Sequence, residues 1–534
     1  MMNSFIKQNE MGAGSTLTEN GALSYASAGK ALIDQFAHAG TARGRDISDV
    51  WSEQATLWAE DPSTALRFPF YLRMITRQTK IGDGKTTEKV QRGQGAKDEA
   101  FKRLLWVAHF HPETFYRNLW LIPVVGSWKD LWVLLSMDAS LDRKKFFEVI
   151  AEGINDDTMK DLVKKYLPRI RAISKCKTPW ARQSNEDAKA FAKFAGWTYE
   201  DYRTFKSSGL AHSFQTYICK GLYNQINWSL IPGKALLNLV SGKFLSNHNL
   251  TDSYYKWLEK QPVAKFNGYA YELGMKLGQS YAQPSRVQTL TIDKQFDNLI
   301  QTAKKDDGGI KGNVLCALDT SGSMTCHVEG GPAGLTSYDV CVSLGIYFSE
   351  LNTGAFHNHV AMFDNTSRMM ELKGSFTDKW FQIRHASTAW GGTNFQSLID
   401  LIVKTRREHP EIPLEDFPQT LIVISDMQFN AYGAESNYEA MMRKLRSEFP
   451  DEWVKDFKCI WWYCAGRSGA SKDVPATMDM GGQYLFSGFD GAVISLILGG
   501  ETIVDEKTGQ ARQLSMEESI NAALSQEALL LVQE

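Results

Sequence analysis

Three short segments of this sequence carry oxygen atoms that could hold a divalent cation. The candidate ligands, two carboxylates and three hydroxyls, are Asp319, Ser321, Ser323, Thr393 and Asp426. All-oxygen ligands suit hard cations, and a set with only two negative charges leaves water molecules on the metal, which suits Mg²⁺ or Mn²⁺. The sequence therefore predicts a site for Mg²⁺ or Mn²⁺.

The apolar runs before these segments predict where the ligands lie. Residues 314–318 precede Asp319, and residues 420–424 precede Asp426; both runs are typical of buried parallel strands. Open α/β sheets place ligand sites at the carboxyl ends of their strands. An Asp-x-Ser-Gly-Ser segment alone is also a common turn. Three matching segments in this order favour the metal site over the turn.

After about residue 313 the pattern alternates between strands and helices, which predicts an α/β domain with a doubly wound parallel sheet. The expected strands lie near 314–319, 359–364, 420–426, 458–464 and 483–487. The expected helices lie near 337–352, 394–408, 434–448 and 490–498, with a last amphipathic helix over 516–532. We therefore expect one α/β domain over residues 313–534.

The first half of the chain predicts a helical architecture. Residues 1–45 indicate a flexible lead with one helix over 27–38, and residues 46–303 carry apolar residues at helical spacing. Short loops between these helices favour antiparallel hairpins stacked as an α-solenoid, here a degenerate HEAT-like array. The polar, glycine-containing residues 304–312 predict a linker.

Positive charge is concentrated in two islands, although the chain as a whole has a formal charge of −2. The first island runs from Arg67 to Arg103 with ten Lys/Arg and four Asp/Glu; the second runs from Lys160 to Arg182 with eight and one. Clustered cations suit phosphate contact, and interleaved Tyr166 and Trp180 could stack on bases. The alternative is a set of solvated helix faces. The candidate RNA-binding residues are Arg73, Arg77, Lys80, Lys85, Lys89, Arg92, Lys97, Lys164, Lys165, Arg169, Arg171, Lys175, Lys177 and Arg182.

Cysteine usage and hydropathy predict the compartment. The seven cysteines include no Cys-x-x-Cys pair, and the first 18 residues lack the apolar core of a signal peptide. No apolar stretch reaches the length of a transmembrane helix. We therefore expect a cytoplasmic protein without a membrane partner.

The features that would indicate an enzyme are incomplete in this sequence. Gly84-Lys85-Thr86 lacks the P-loop glycine five residues earlier, where Thr79 stands. A metal-dependent hydrolase would need a general base beside a metal-bound water, whereas Asp319 and Asp426 would both be occupied in holding the ion. The sequence favours a non-enzymatic site whose metal receives an Asp or Glu from a protein partner.

The order Asp-x-Ser-x-Ser, Thr, Asp resembles the metal-ion-dependent adhesion site of the von Willebrand factor A domain. A helical-repeat region followed by such a domain resembles the TROVE family of Ro autoantigen-type RNA-binding proteins. A closer likeness is to an uncharacterised family of bacteria, phages and plants with the same layout. The segments that carry this likeness span residues 18–22, 111–115, 121–123, 126–131, 165–169 and 226–232. One departure is Gly93–Asp98, where relatives carry a Gly-Gly-x-Gly-Glu-Arg segment.

The resemblance to the Ro proteins implies a ring-like helical solenoid closed by the A domain, with noncoding RNA bound by the ring and its basic outer face. It thus implies an RNA-binding scaffold, the protein component of a ribonucleoprotein. The alternative is a protein-interaction adaptor whose A domain binds a partner carboxylate through the metal. Copurified nucleic acid would favour the first hypothesis.

Overall fold

The computed structural model divides the chain into two compact units, each assembled from segments that are distant in sequence. We call residues 47–231 with 524–534 the helical unit, and residues 14–46 with 232–523 the sheet unit. The structure describes residues 14–75, 77–80, 86–208, 214–278, 284–387, 391–465, 473–491, 494, 498, 503–504, 511–512 and 514–534.

The described chain begins in the sheet unit with a short antiparallel hairpin of β1 (Ser15–Leu17) and β2 (Leu23–Tyr25), followed by helix α1 (Ala31–His38). The predicted single helix over 27–38 therefore starts later, and the predicted lead contains strands. Both strands are only three residues long, which leaves too little alternation to predict them from the sequence.

The helical unit contains eleven α-helices in its first segment, among the residues that the structure describes. They are α2 (Ile47–Glu60), α3 (Pro62–Arg73), α4 (Lys97–Phe110), α5 (Pro112–Arg117), α6 (Leu121–Val125), α7 (Trp128–Met137), α8 (Arg143–Asn155), α9 (Lys160–Tyr166), α10 (Pro179–Phe194), α11 (Tyr199–Ser208) and α12 (Phe214–Cys219). A hairpin of β3 (Arg77–Lys80) and β4 (Thr86–Gln91) interrupts them. The sequence predicts helices throughout residues 46–303, and this hairpin corrects that prediction.

The sheet unit resumes with five helices: α13 (Gly233–Ser241), α14 (Phe244–Asn247), α15 (Thr251–Glu259), α16 (Ala270–Gly278) and α17 (Arg286–Asp307). Helix α17 ends where Gly308 adopts the left-handed φ of 73°, which glycine tolerates without a Cβ clash. The predicted linker at 304–312 is therefore partly the last turn of a helix.

The six-stranded sheet follows, with its helices between the strands. Its elements are β5 (Val314–Asp319), α18 (Ser337–Leu351), β6 (His359–Phe363), β7 (Ser367–Glu371), α19 (Phe376–Ala386), α20 (Gln396–Glu408), β8 (Thr420–Ser425), α21 (Asn437–Glu448), α22 (Asp451–Asp456), β9 (Lys458–Tyr463) and β10 (Gln483–Ser487). The chain then forms the two-residue strands β11 (Ile503–Val504) and β12 (Ala511–Arg512) and helices α23 (Met516–Leu524) and α24 (Glu527–Leu530).

The strand order of the large sheet is β10-β9-β8-β5-β6-β7. All neighbours are parallel except β6 and β7, so the sheet is mixed, and the antiparallel edge strand β7 is absent from the sequence-based prediction. Leu318 faces Gly345 of α18, whereas Phe363 contacts Phe395 at the start of α20. Leu318 pairs with Met362, the residue before Phe363. Because successive residues of a strand point to opposite sides of the sheet, Leu318 and Phe363 lie on opposite faces, so helices cover both faces.

Helices α13–α17 belong to the sheet unit because they pack against its helices. A Cβ on Gly274 of α16 would lie 2.1 Å from the hydroxyl of Ser343 in α18, so glycine permits a close approach of these two helices. Phe296 of α17 stacks on Phe376 of α19 with ring centroids 4.3 Å apart. The predicted boundary at residues 304–312 therefore does not coincide with the division between the two units.

Candidate metal centre

The first loop of the candidate centre follows β5 and is organised by Asp319. This carboxylate is fully buried; its Oδ1 accepts the backbone N–H of Ser321 at 2.9 Å, and its Oδ2 accepts the hydroxyl of Ser425 at 2.5 Å. The hydroxyl oxygens of Ser321 and Ser323 lie 3.1 Å apart. The loop therefore brings three predicted ligands to the carboxyl end of the central strand.

The second loop, at residues 391–393, is tied to the first by the backbone. The N–H of Gly322 donates to the carbonyl of Gly391 at 3.1 Å. Thr393 is buried and exchanges two hydrogen bonds with Asn430: its N–H donates to Oδ1 at 3.1 Å, and its carbonyl accepts the Asn430 N–H at 2.9 Å. A Cβ on Gly391 would lie 2.2 Å from the amide of Asn365, so this close approach needs glycine.

The third loop follows β8 and carries Asp426, which is 2% exposed. One of its oxygens, Oδ1, accepts the N–H of Gln428 at 3.2 Å. Between them Met427 adopts a φ of 60°, a left-handed conformation that is uncommon for a residue with a side chain. The chain thus turns sharply directly after the second carboxylate.

The sheet topology explains why these loops meet. Strands β5 and β8 are hydrogen-bonded neighbours, but the chain continues from β5 to β6 on one side and from β8 to β9 on the other. This reversal is a topological switch point, where open α/β sheets form a crevice at the carboxyl ends of their strands. Asp319 and Asp426 flank that crevice.

The electrostatics of the two carboxylates favour a bound cation. Burial, and then repulsion from Asp426, raise the pKa of Asp319 to about 7, despite the hydrogen bonds from Ser321 and Ser425 that favour the charged form. A divalent cation would stabilise the ionised form of both acids. Within the described ranges no group of three or more His, Cys, Asp and Glu side chains is arranged for a metal, so this set depends on its hydroxyls. Mg²⁺ and Mn²⁺ fit such a set.

Several residues that hold the centre were not predicted. Ser425 binds Asp319 directly, and Asn365 and Asn430 hold the glycine-threonine loop: Asn365 Oδ1 accepts the N–H of Gly392 at 2.8 Å. Each of them lies at or shortly after the end of an apolar strand. Their position at or shortly after the end of a strand was the signal from which they could have been predicted, because polar side chains there lie at the same crevice.

Asp364 is a further carboxylate at this edge of the sheet, directly after β6. It is 2% exposed, its carbonyl accepts the N–H of Asn394 at 2.8 Å, and its Oδ1 accepts the N–H of Thr366 at 3.2 Å. Its Oδ2 has no hydrogen-bond partner among the described residues. The loop after β6 therefore contributes a third buried acid near the second loop.

The segment Thr18–Ala22, which joins β1 to β2, lies on the third loop, and we call it the strap. The hydroxyl of Thr18 donates to the carbonyl of Phe429 at 2.8 Å, the N–H of Glu19 donates to Oε1 of Gln428 at 2.8 Å, and Asn20 donates to the Gln428 carbonyl at 2.5 Å. The strap therefore fixes the chain that follows Asp426.

The predicted RNA-binding residues of the first island are placed unevenly. Arg73 is buried, and its Nε and Nη2 lie 2.7 and 2.6 Å from Oδ2 of Asp130, so it stabilises the fold and is not available to phosphate. Lys97 pairs with the other oxygen of Asp130 at 3.1 Å. Arg92 is half-buried, and its backbone N–H donates to Gln526. The other four candidates of the first island are Arg77, Lys80, Lys85 and Lys89. Lys85 lies outside the described residues, and so do the side chains of the other three, which belong to the β3–β4 hairpin.

The second island is largely exposed. Only Lys164 turns inward, with its Nζ 3.5 Å from Asp161 and over the ring of Phe205. The exposed cations form no ion pair with any described acid, and they are Lys165, Arg169, Arg171, Lys175, Lys177 and Arg182. Trp180 and Ile173 are 53% and 70% exposed beside them. This surface therefore combines unpaired positive charge with an accessible aromatic ring.

Comparisons with known proteins match two parts of the chain, with limits that differ from those of the two units. Residues 18–193 match the family model described as Domain of unknown function (DUF2828), and residues 313–529 match Domain of unknown function (DUF7788). The chain is also similar to Uncharacterized protein L728 of Acanthamoeba polyphaga mimivirus, with 25% identity over 529 residues, covering 91% of this chain and 85% of the viral protein. The first match begins at Thr18, the first residue of the strap. Within the described residues, no helix has the length and apolar character needed to cross a membrane.

Proposed function

We propose that the sheet unit is a receptor for a protein partner's carboxylate, which it binds through a Mg²⁺ or Mn²⁺ ion held by Asp319, Ser321, Ser323, Thr393 and Asp426. The observation that carries this proposal is that the three loops with the two buried carboxylates and the three hydroxyl-bearing residues are hydrogen-bonded to one another at the switch point of the sheet. In the strand order, the third strand along the chain is the antiparallel edge. The resemblance to a von Willebrand A domain, carried by the order Asp-x-Ser-x-Ser, Thr, Asp, supports the same proposal.

The exposure of the loops supports a receptor role. Asp319 and Asp426 are buried, whereas Ser323, Gly391 and Gly392 are partly exposed, so one side of the set faces solvent. A hard cation with few protein charges keeps water on that side, and an incoming Asp or Glu would replace one of these waters. Two protein carboxylates only neutralise the ion's charge, so a further carboxylate can still bind at the open coordination position.

A metal titration tests this function. Mg²⁺ or Mn²⁺ should raise the midpoint of thermal unfolding of the wild type in a saturable manner, because a ligand that binds only the folded state stabilises it. The Asp426→Ala variant should show no such response. A matched control is Asp293→Asn, which changes a half-buried acid of α17 that accepts the N–H of Thr377 at 2.9 Å. Equal responses of Asp426→Ala and wild type would contradict the assignment.

RNA binding by the helical unit is the second function that we propose. It is supported by the six exposed, unpaired cations of the second island together with the exposed ring of Trp180. Such a surface can neutralise phosphates and stack a base that is not paired. The resemblance to the TROVE family supports the same function, with a HEAT-like solenoid as the scaffold and a noncoding RNA as the partner. The protein would then be a scaffold without catalytic activity.

Copurified nucleic acid tests the second function most simply. After purification at low salt, the ratio of absorbance at 260 and 280 nm should exceed that of the protein alone, and treatment with ribonuclease should restore it. The Trp180→Ala variant should retain less RNA, since stacking on one aromatic ring contributes about 1–3 kcal/mol per base. RNA-free protein that also fails to bind added single-stranded RNA would leave the metal-dependent receptor as the function.

A further inference from the structure

The helical unit contains an open cavity of about 440 Å³ that no part of the proposed functions uses. It lies along α10 and is bordered by the first residues of α8 and α11. The residues that matter for its chemistry are Arg143, Gln183, Asp187, Lys189, Lys193 and Tyr199. A cavity of this volume is large enough for one nucleotide or a molecule of similar size.

Asp187 is the most informative residue of the cavity, because it is buried to 2% exposure and yet has an oxygen without a partner. Its Oδ1 accepts two hydrogen bonds, from Nε of Arg143 at 3.1 Å and from Nε2 of Gln183 at 2.9 Å. Its Oδ2 has no hydrogen-bond partner among the described residues. A buried acceptor left in this state costs free energy, so Oδ2 needs a donor from outside the described residues, either water or a ligand.

The rest of the cavity indicates the other features of that ligand. Lys193 is exposed and forms no ion pair with a described residue. Lys189 forms an ion pair with Glu186, with its Nζ 2.8 Å from the carboxylate. The cavity residues Arg143, Lys189 and Lys193 outnumber Asp187 and Glu186, so an anionic ligand is favoured. Tyr199 at the border is 48% exposed and offers an aromatic face.

We propose that this cavity binds one nucleotide of single-stranded RNA through a base that carries an exocyclic amino group. The amino group donates a hydrogen bond to Oδ2 of Asp187, and Lys193 contacts the phosphate. A carboxylate accepting from the N4 amino group of cytosine is an established pairing of side chain and base. This inference rests on the proposed RNA binding and adds a preference for particular bases to it.

The second island and the cavity are continuous along one helix. Trp180 lies in the first turn of α10 and Asp187 lies two turns further, so the two are separated by about 10 Å along the helix axis. An RNA strand held by Trp180 and its neighbouring cations could therefore place the next bases at the cavity. The island would supply affinity without regard to sequence, and Asp187 would read one base.

The experiment compares CMP with UMP, which differ in having an amino or a carbonyl group at one ring position. Binding to the full chain is measured by calorimetry or ligand-observed NMR. Wild type should bind CMP about tenfold more tightly than UMP, within the range of discrimination by a specific base contact. The N4-dimethyl derivative of CMP, which has no N–H to donate, should lose this advantage.

The Asp187→Asn variant gives the sharpest test. Oδ1 must still accept from Arg143 and Gln183, so the amide nitrogen takes the place of Oδ2 and presents a donor. The preference should therefore reverse, with UMP bound more tightly than CMP. Lys193→Gln should weaken both nucleotides equally, and Glu152→Gln, which changes an exposed acid of α8 outside the cavity, should leave both affinities unchanged.

Equal affinities of wild type for CMP and UMP would overturn the proposal, as would an unchanged order in a folded Asp187→Asn protein. If circular dichroism shows that this variant does not fold, the comparison of CMP, its dimethyl derivative and UMP on wild type decides alone. Salt-dependent RNA binding that persists without any base preference would refute the cavity assignment and leave the proposed RNA binding intact.

Discussion

The hydroxyl of Ser425 donates a hydrogen bond of 2.5 Å to Oδ2 of Asp319, so the last residue of β8 holds the carboxylate that ends β5. The two residues are 106 positions apart in sequence and meet because β5 and β8 are neighbours at the switch point. Ser425 stabilises the charged form of Asp319, while burial and Asp426 oppose it. This balance determines how the centre should respond to mutation and to pH.

Asp319→Asn should stabilise the metal-free protein and abolish its response to metal. The asparagine can still accept from the N–H of Ser321 and donate to the hydroxyl of Ser425, and it removes the repulsion with Asp426. We expect the midpoint of thermal unfolding in EDTA to rise by a few degrees and to remain unchanged on adding Mg²⁺. A lower midpoint in EDTA would contradict the assignment, because it would mean that the Asp319 carboxylate stabilises the folded protein even without a metal.

The metal response should depend on pH in a defined direction. Burial and repulsion from Asp426 raise the pKa of Asp319 to about 7, whereas an unfolded Asp titrates near 4. Between these values the folded protein holds a proton that the unfolded chain has lost, so its free energy of unfolding without metal should fall as pH rises. Mg²⁺ competes with that proton, so its stabilising effect should be larger at about pH 8 than at about pH 6. Titrations at both values, monitored by thermal unfolding, check the sign.

The strap should influence metal affinity without touching the ion. Thr18→Val keeps the shape of the side chain but removes the hydrogen bond to the carbonyl of Phe429, worth about 1 kcal/mol, together with the bond that the hydroxyl accepts from the N–H of Ala22 within the strap. If the third loop shifts and the full loss of about 1 kcal/mol is taken from metal binding, Mg²⁺ affinity should fall by about fivefold. Ser24→Ala is the matched control, since its hydroxyl donates to Val474, outside the metal loops. Equal affinities of the two variants would separate the strap from the metal site.

RNA affinity should depend steeply on salt, and the second island should supply the dependence. Changing Arg169, Arg171, Lys175 and Lys177 to Gln removes up to four phosphate contacts, which should reduce the slope of log K against log salt by up to about 3 for a single strand. The control replaces four exposed lysines of the sheet unit, Lys256, Lys260, Lys304 and Lys305, and should leave the slope unchanged. Fluorescence anisotropy of a labelled single-stranded RNA measures both. A shallow slope in wild type would argue against RNA as the ligand.

The long elements of the fold follow from local pattern. Helix α18 begins at a capping box formed by Thr336 and Asp339, and β5 and β8 are uninterrupted apolar runs, so all three elements could be predicted. The hairpins β1–β2 and β3–β4 are short and polar, and they lack such a pattern. The assignment of α16 and α17 to the sheet unit depends on contacts such as Phe296 with Phe376, which no local pattern encodes.

In the candidate metal centre, the positions of the candidate ligands could likewise be predicted from the sequence, whereas the contacts of other residues could not. Asp319, Ser321 and Ser323 share one short segment, and Asp426 directly follows a strand, so the sequence was sufficient to predict their position at the carboxyl end of the sheet, and their binding of a metal stays a prediction. Arg73 was wrongly predicted to contact phosphate, because its partner Asp130 lies 57 residues away and only the fold brings the two together. Composition shows that a segment is basic, but it does not show which cations are already neutralised.

The position of the strap has a consequence for the order of events during translation. Thr18 emerges from the ribosome 411 residues before Phe429, the residue that it contacts. At about 5–20 residues per second, that interval lasts roughly 20 to 80 s. The segment 47–231 is synthesised in the meantime, while β1 and β2 have no sheet to pack against, and the helical unit is complete only after residues 524–534 have been added. A nascent chain therefore acquires the complete metal loops only when synthesis has passed β8, and no earlier product can present them.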